Sequence, residues 1–222
     1  MNLNEQAIKK LQDGEYQEAI ELLNQAIEEK PEDETAYINF GNVLAQMNET
    51  EKAERFFQKA IVLNEEAGLA YYSLANLYYN EERFSESARL YEKTLEKGVN
   101  DSDVYFMLGM SLKNEEKVKL SLPYLQRAVE LSENDAEAHF QYGLALAQLE
   151  IADEAIEQLK HAVRLNDQHA DALYNLGVAY AGFQEDAMEA LSCFEQAIAA
   201  QPDHYLALNG REIMRQALES KG

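Results

Sequence analysis

A chain of 222 residues with 46% hydrophobic content, ten glycines and three prolines can bury a substantial core and has little to interrupt helices. Forty-one acidic residues against nineteen basic ones give a net charge of −22, which repels phosphate backbones and anionic lipid headgroups and favours basic surfaces. The single cysteine, Cys193, excludes an internal disulfide and a cysteine-based metal cluster, and no stretch approaches the ~20 apolar residues of a membrane span.

From Met1 to Gln12 the chain is polar and lacks the apolar centre of a signal peptide, so a cytoplasmic protein is expected. The sequons at Asn48 and Asn100 are then chance matches. The first predicted helix pair carries Ala7, Gly14, Tyr16, Ala19, Leu23, Ala26 and Pro31. The same arrangement returns from Glu34, Gly68, Ser102, Ala136 and Ala170, each start thirty-four residues after the last. One column of these segments reads Gly41, Ala75, Gly109, Gly143, Gly177, and a second reads Ala53, Ser87, Ser121, Ala155, with Ala190 one residue late. A third reads Ala60, Thr94, Ala128, Ala162, with Ala197 late again. Large residues stand between them, as in Phe57, Tyr91, Leu125, Leu159 and Phe194. Two antiparallel helices approach closely only where the facing side chains are small. The spacing therefore predicts a tight helical hairpin, repeated six times.

Short polar turns such as Lys30-Pro31-Glu32-Asp33 separate the helices, and Gly98 suits a left-handed helix end. Pro123 falls inside a predicted helix, where a local bend is expected. The last hairpin absorbs an extra residue around Gly182 to Ala187 and closes at Pro202. The segment from Tyr205 to Leu218 is amphipathic and suits a cap over the open end of the array, or else a docking helix for a second copy. The expected organisation is one all-α domain over 1–222, with repeats 1–33, 34–67, 68–101, 102–135, 136–169 and 170–204 and a cap helix at 205–219.

These units resemble the tetratricopeptide (TPR) repeat, whose first helix carries Trp-x2-Leu-Gly-x2-Tyr. Here that reads Tyr71-x2-Leu74-Ala75-x2-Tyr78, Tyr105-x2-Leu108-Gly109-x2-Leu112 and Leu173-x2-Leu176-Gly177-x2-Tyr180. The resemblance runs from near Met1 to His204; Trp is replaced throughout, and the unit-ending proline survives only as Pro31 and Pro202. In length the chain is similar to the short stand-alone TPR proteins of Firmicute bacteria. The resemblance implies a right-handed α-α superhelix whose first helices line a concave groove that binds protein segments.

Catalysis would need convergent acids, bases or nucleophiles. His139, His161, His169 and His204 are scattered along the last two units, and the Glu157/His161 pair reads as a surface pair. His139 stands in a large-aromatic slot and Cys193 on a core-facing stretch, so both read as packing residues. No phosphate loop, zinc spacing or calcium loop occurs, so neither enzymatic activity nor a cofactor or metal is expected.

Carrying the family's groove positions onto this chain gives two halves. The first offers Ile38, Asn39, Asn42, Tyr72, Ser73 and Asn76, whose amides can pair with a bound backbone or simply sit on a wet face. The second offers acid–aromatic pairs three apart: Asp103 and Phe106, Glu137 and Phe140, Asp171 and Tyr174, with Asn175 beside the last. Exposed rings beside acids would suit Lys or Arg, although acids in a first helical turn also complement the helix dipole. The family's carboxylate clamp, in contrast, needs basic groove residues. At the matching positions stand Asn4, Ile8, Asn39, Leu69 and Ser73, of which only Asn39 fits. The expected function is an interaction adaptor or scaffold, monomeric or weakly self-associating, that holds a peptide or helix of basic character. The alternative is a structural protein that self-assembles through its terminal repeats or cap helix.

Overall fold

The computed structural model describes residues 2–220, and these residues form thirteen α-helices and no strand. In chain order the helices are α1 Leu3–Gln12, α2 Tyr16–Glu29, α3 Glu34–Gln46, α4 Thr50–Leu63, α5 Gly68–Asn80, α6 Phe84–Glu96 and α7 Ser102–Asn114. There follow α8 Val118–Leu131, α9 Ala136–Gln148, α10 Ala152–Leu165, α11 Ala170–Phe183, α12 Ala187–Ala200 and α13 Tyr205–Glu219. Odd-numbered helices α3 to α11 begin at the five starts of the thirty-four-residue spacing. No helix among the described residues is long and apolar enough to cross a membrane.

Side-chain caps satisfy several of the helix starts. Asn2 and Glu5 form a reciprocal capping box on α1, while Asp33, Asp135 and Asp186 accept from the first backbone amides of α3, α9 and α12. His169 and His204 do the same for α11 and α13 through Nδ1.

The chain divides into two compact units, Met1–Ser111 and Leu112–Gly222. In the first, α1 pairs with α2, α3 with α4 and α5 with α6. Its core holds Leu23, Phe57 and Tyr91 on the even-numbered helices, all fully buried. Gly41 is small because the Phe57 ring lies against its Cα: a Cβ there would meet Phe57 Cδ1 at 2.6 Å. The small column reads Ala19, Ala53 and Ser87 in this unit, and all three are fully buried. The Ser87 hydroxyl contacts Ala75 O and Ser111 Oγ at 2.9 and 3.1 Å, so its burial leaves no polar atom stranded.

In the second unit α9 pairs with α10 and α11 with α12, and α13 packs on α12. Leu159 and Phe194 fill the space above Gly143 and Gly177, and Ala155, Ala162, Ala190 and Ala197 are fully buried. Helix α8 runs unbroken from Val118 to Leu131 through Pro123, which lies on the exposed face. Ala207 is the buried residue of α13, and Gly210 lets that helix ride directly over the Phe194 ring.

The turn inside each hairpin uses one left-handed residue. The column reads Gly14, Asn48, Glu82, Glu116, Glu150 and Glu185, with φ between 52° and 77°. Gly98, the expected left-handed helix end, has φ +86°.

Candidate functional site

The groove residues lie on the odd-numbered helices, which touch one another within each unit: α1 with α3, α3 with α5, α9 with α11, α11 with α13. In the first unit these helices enclose a hollow of about 430 Å³ lined by Asn39, Asn42, Ser73 and Asn76, with Ile8 and Leu11 on its apolar side and Glu81 at its edge. The structure thus brings three of the expected amides together. Tyr72 is not on that lining; it is half-buried and stands edge-on to Tyr91, with ring centroids 6.0 Å apart. Ile38, expected on the groove, is turned inward at 8% exposure and packs with Ala60 and Ala70.

Asp103 and Phe106 sit on α7 in the first unit, the acid exposed and the ring half-buried. In the second unit Glu137 and Asp171 line a broad polar recess at the starts of α9 and α11. There each acid meets the histidine that caps the next odd-numbered helix. His169 Nε2 lies 3.4 Å from Glu137 Oε2, and His204 Nε2 lies 3.2 Å from Asp171 Oδ1. The opposite nitrogen, Nδ1, accepts the helix-start amide, so Nε2 carries the proton and donates to the acid. The aromatics join the same contact, with ring centroids 4.6 Å apart for Phe140 and His169 and 5.2 Å for Tyr174 and His204.

This geometry corrects one expectation. Phe140 does not present an exposed ring; at 7% exposure it belongs to the core with Leu173 and Leu176. Tyr174 is half-buried between Phe194 and His204. Asn175 donates to the Asp171 carbonyl at 2.8 Å, which ties its amide nitrogen to its own helix. The acids keep their accessibility, with side chains 53% exposed at Glu137 and 68% at Asp171. A second hollow of about 340 Å³ opens between α11 and α13, lined by Tyr174, Val178, Leu206, Ile213 and Met214.

Sequence reasoning missed Lys113. Its Nζ lies 2.5 Å from Gln141 Oε1, and Gln141 in turn donates to Glu137 at 2.7 Å. Burial pushes the Lys113 ammonium below the usual lysine range, with the Glu137 charge acting the other way. The remaining titratable groups read as structural. His139 is buried, stacks on His161 at 5.1 Å and reaches Gln158 Oε1 at 2.7 Å. Burial pushes the Cys193 thiol up to about 11. No group of three or more potential ligands gathers around a metal position among the described residues.

Comparison with known proteins fits this architecture. The family described as the Cilia and flagella-associated protein 70 C-terminal domain matches residues 7–178, and the tetratricopeptide repeat matches residues 171–204. The crystal structure of YrrB, described as a TPR protein with an unusual peptide-binding site, superposes with a TM-score of 0.80 at 45% identity. That likeness covers 86% of this chain and 97% of the other. The chain belongs to the tetratricopeptide repeat family. Against the TPR repeat-containing protein YrrB of Bacillus subtilis (strain 168), sequence comparison gives 49% identity over 41 residues, 18% of this chain and 20% of that protein. The structure from Pseudomonas aeruginosa pilF shares the TPR fold, with a TM-score of 0.79 at 18% identity over 99% of this chain and 96% of its own.

Proposed function

We propose that this TPR protein is a cytoplasmic adaptor that holds a peptide of basic character on its odd-numbered helices and acts by binding, not by catalysis. The observation that carries the reading is the exposed pair Glu137 and Asp171. Each acid is exposed and accepts from a histidine that itself packs against an aromatic ring, in a protein of net charge −22. A lysine or arginine entering the recess would meet two exposed carboxylates, Glu137 held by His169 and Gln141 and Asp171 held by His204. The peptide-binding site described for YrrB supports a peptide as the class of ligand. Within the first unit the amides would hold main chain; within the second, taken by itself, the acids would select for positive charge.

The test uses the double variant Glu137→Gln, Asp171→Asn, which keeps an acceptor oxygen for each histidine and removes both charges. Exposed ion pairs contribute about 0.2–1 kcal/mol each. A lysine-rich peptide titrated by calorimetry should therefore bind roughly twofold to thirtyfold more weakly to the variant, and with a shallower dependence on salt. Equal affinity and equal salt dependence in the two proteins would reject basic selection.

A further inference from the structure

The hollow of the first unit has a polarity that its asparagines alone do not determine. An amide side chain can donate or accept, and which it offers depends on what holds its other end. Asn76 is held from behind. The hydroxyl of Tyr91, from α6, donates to Asn76 Oδ1. Tyr91 is fully buried, and burial pushes its phenol well above the usual tyrosine range, so it stays protonated and remains a donor. That bond fixes the amide's orientation, oxygen toward Tyr91, so Asn76 offers the hollow chiefly the two N–H groups of Nδ2. Asn39, on the same lining, has an enclosed Nδ2 with no hydrogen-bond partner. An enclosed donor without a partner carries a desolvation penalty that an incoming acceptor would relieve. In the Tyr91 column the other repeats carry Leu23, Phe57, Leu125, Leu159 and Phe194, none with a hydroxyl.

Taking the peptide-binding reading as given, we propose that Tyr91 is a positioning residue that makes this hollow a hydrogen-bond-donor wall, so that its ligand is the row of main-chain carbonyl oxygens of an extended peptide. A carboxylate would satisfy the same donors. It is disfavoured here by Glu81 at the edge of the hollow and by the charge of the whole chain. Asn39 and Asn76 donate to the peptide's carbonyls, and the peptide's own N–H groups face away from the wall.

The experiment uses the full chain and two probes, Ac-(Lys-Ala)6-NH2 and the same peptide N-methylated at every alanine. Methylation removes N–H donors and leaves every carbonyl in place. Side-chain amide resonances of Asn39 and Asn76 are followed by NMR during titration. Both peptides should shift these resonances, with affinities within about threefold of each other. Tyr91→Phe keeps the buried ring and frees the Asn76 amide to rotate; Asn76→Asp keeps an acceptor for Tyr91 and removes the donor. Each should weaken both probes on the order of fivefold, the effect of one hydrogen bond. Asn76→Asp is the sharper variant, because an added carboxylate would strengthen a lysine peptide if simple charge attraction governed the hollow. Loss of binding on N-methylation, or undiminished affinity in Tyr91→Phe or Asn76→Asp, overturns the donor wall. Binding that shifts only resonances outside the hollow overturns the donor wall and leaves the adaptor reading intact. Failure of both probes to bind rejects the two together.

Discussion

The left-handed column in the hairpin turns makes a quantitative prediction. Glu82, Glu116, Glu150 and Glu185 sit at φ 58°, 63°, 58° and 52°, a conformation in which an L side chain crowds its own carbonyl. That crowding costs about 1–2 kcal/mol per residue. Glycine escapes it but loses about 0.5–1 kcal/mol more conformational entropy on folding. Each Glu→Gly substitution should therefore stabilise the protein by roughly 0.5–1 kcal/mol, raising a thermal midpoint by about 1–4 °C. No two of these residues share a hairpin, so the four should add to roughly 2–4 kcal/mol. Gly14 provides the reverse experiment, since a Cβ built there meets nothing within 4 Å. Gly14→Ala should cost about the same 0.5–1 kcal/mol through backbone conformation alone. Thermal scans by circular dichroism, repeated in urea, measure both directions. Glu82→Gln controls for the lost charge and should stay within about 0.5 kcal/mol of the parent. If the glycine variants melted at or below the parent, or the glutamine control rose as much as they did, the backbone explanation would be refuted.

Other consequences concern packing, capping and pH. Gly177→Ala would put a Cβ 2.7 Å from Phe194 Cε1 and 3.2 Å from the Ala190 carbonyl, and should destabilise by about 1–3 kcal/mol in a urea titration. His204→Ala removes the acceptor at the start of α13 and the donor to Asp171, at about 0.5–2 kcal/mol. Hydrogen exchange in α13 should accelerate, and unchanged protection would show that the imidazole does not hold that helix. His161 has its pKa lowered by burial, with the Arg164 and His139 charges adding to the effect. The folded state then favours the neutral ring. Its contribution is present above the unfolded value of about 6.5 and is lost as pH falls below it. Replacing His161 with Phe should flatten that part of the pH–stability curve.

The hairpins were legible in the sequence because close helix contact demands small residues at fixed places, and Gly41, Ala53 and Ala60 repeat at one interval down the chain. Of the left-handed residues only Gly98 was legible as such in the sequence; the column inside the hairpins was not, because four of its six members are glutamate, which does not announce positive φ. The histidine caps were hidden for a similar reason: Asp, Asn, Ser and Thr signal a helix start, and imidazole does not. The groove was legible as a set of positions but not as a set of orientations. Phe140 and Tyr174 hold the same position in adjacent repeats, yet what each does depends on His169 and His204, about thirty residues further along. Lys113 stands alone in its column beside Ala45, Tyr79, Ala147 and Ala181, so no repetition drew attention to it. Likewise Tyr91 looks like one more large core residue until its hydroxyl is seen at Asn76.

A crystal structure of the full chain with a bound lysine-containing peptide tests the placement of the ligand most directly. The peptide should lie against odd-numbered helices, its carbonyls at Asn39 and Asn76 or its ammonium groups at Glu137 and Asp171. A peptide seated on the even-numbered helices, with those four side chains left as they are, would contradict the account.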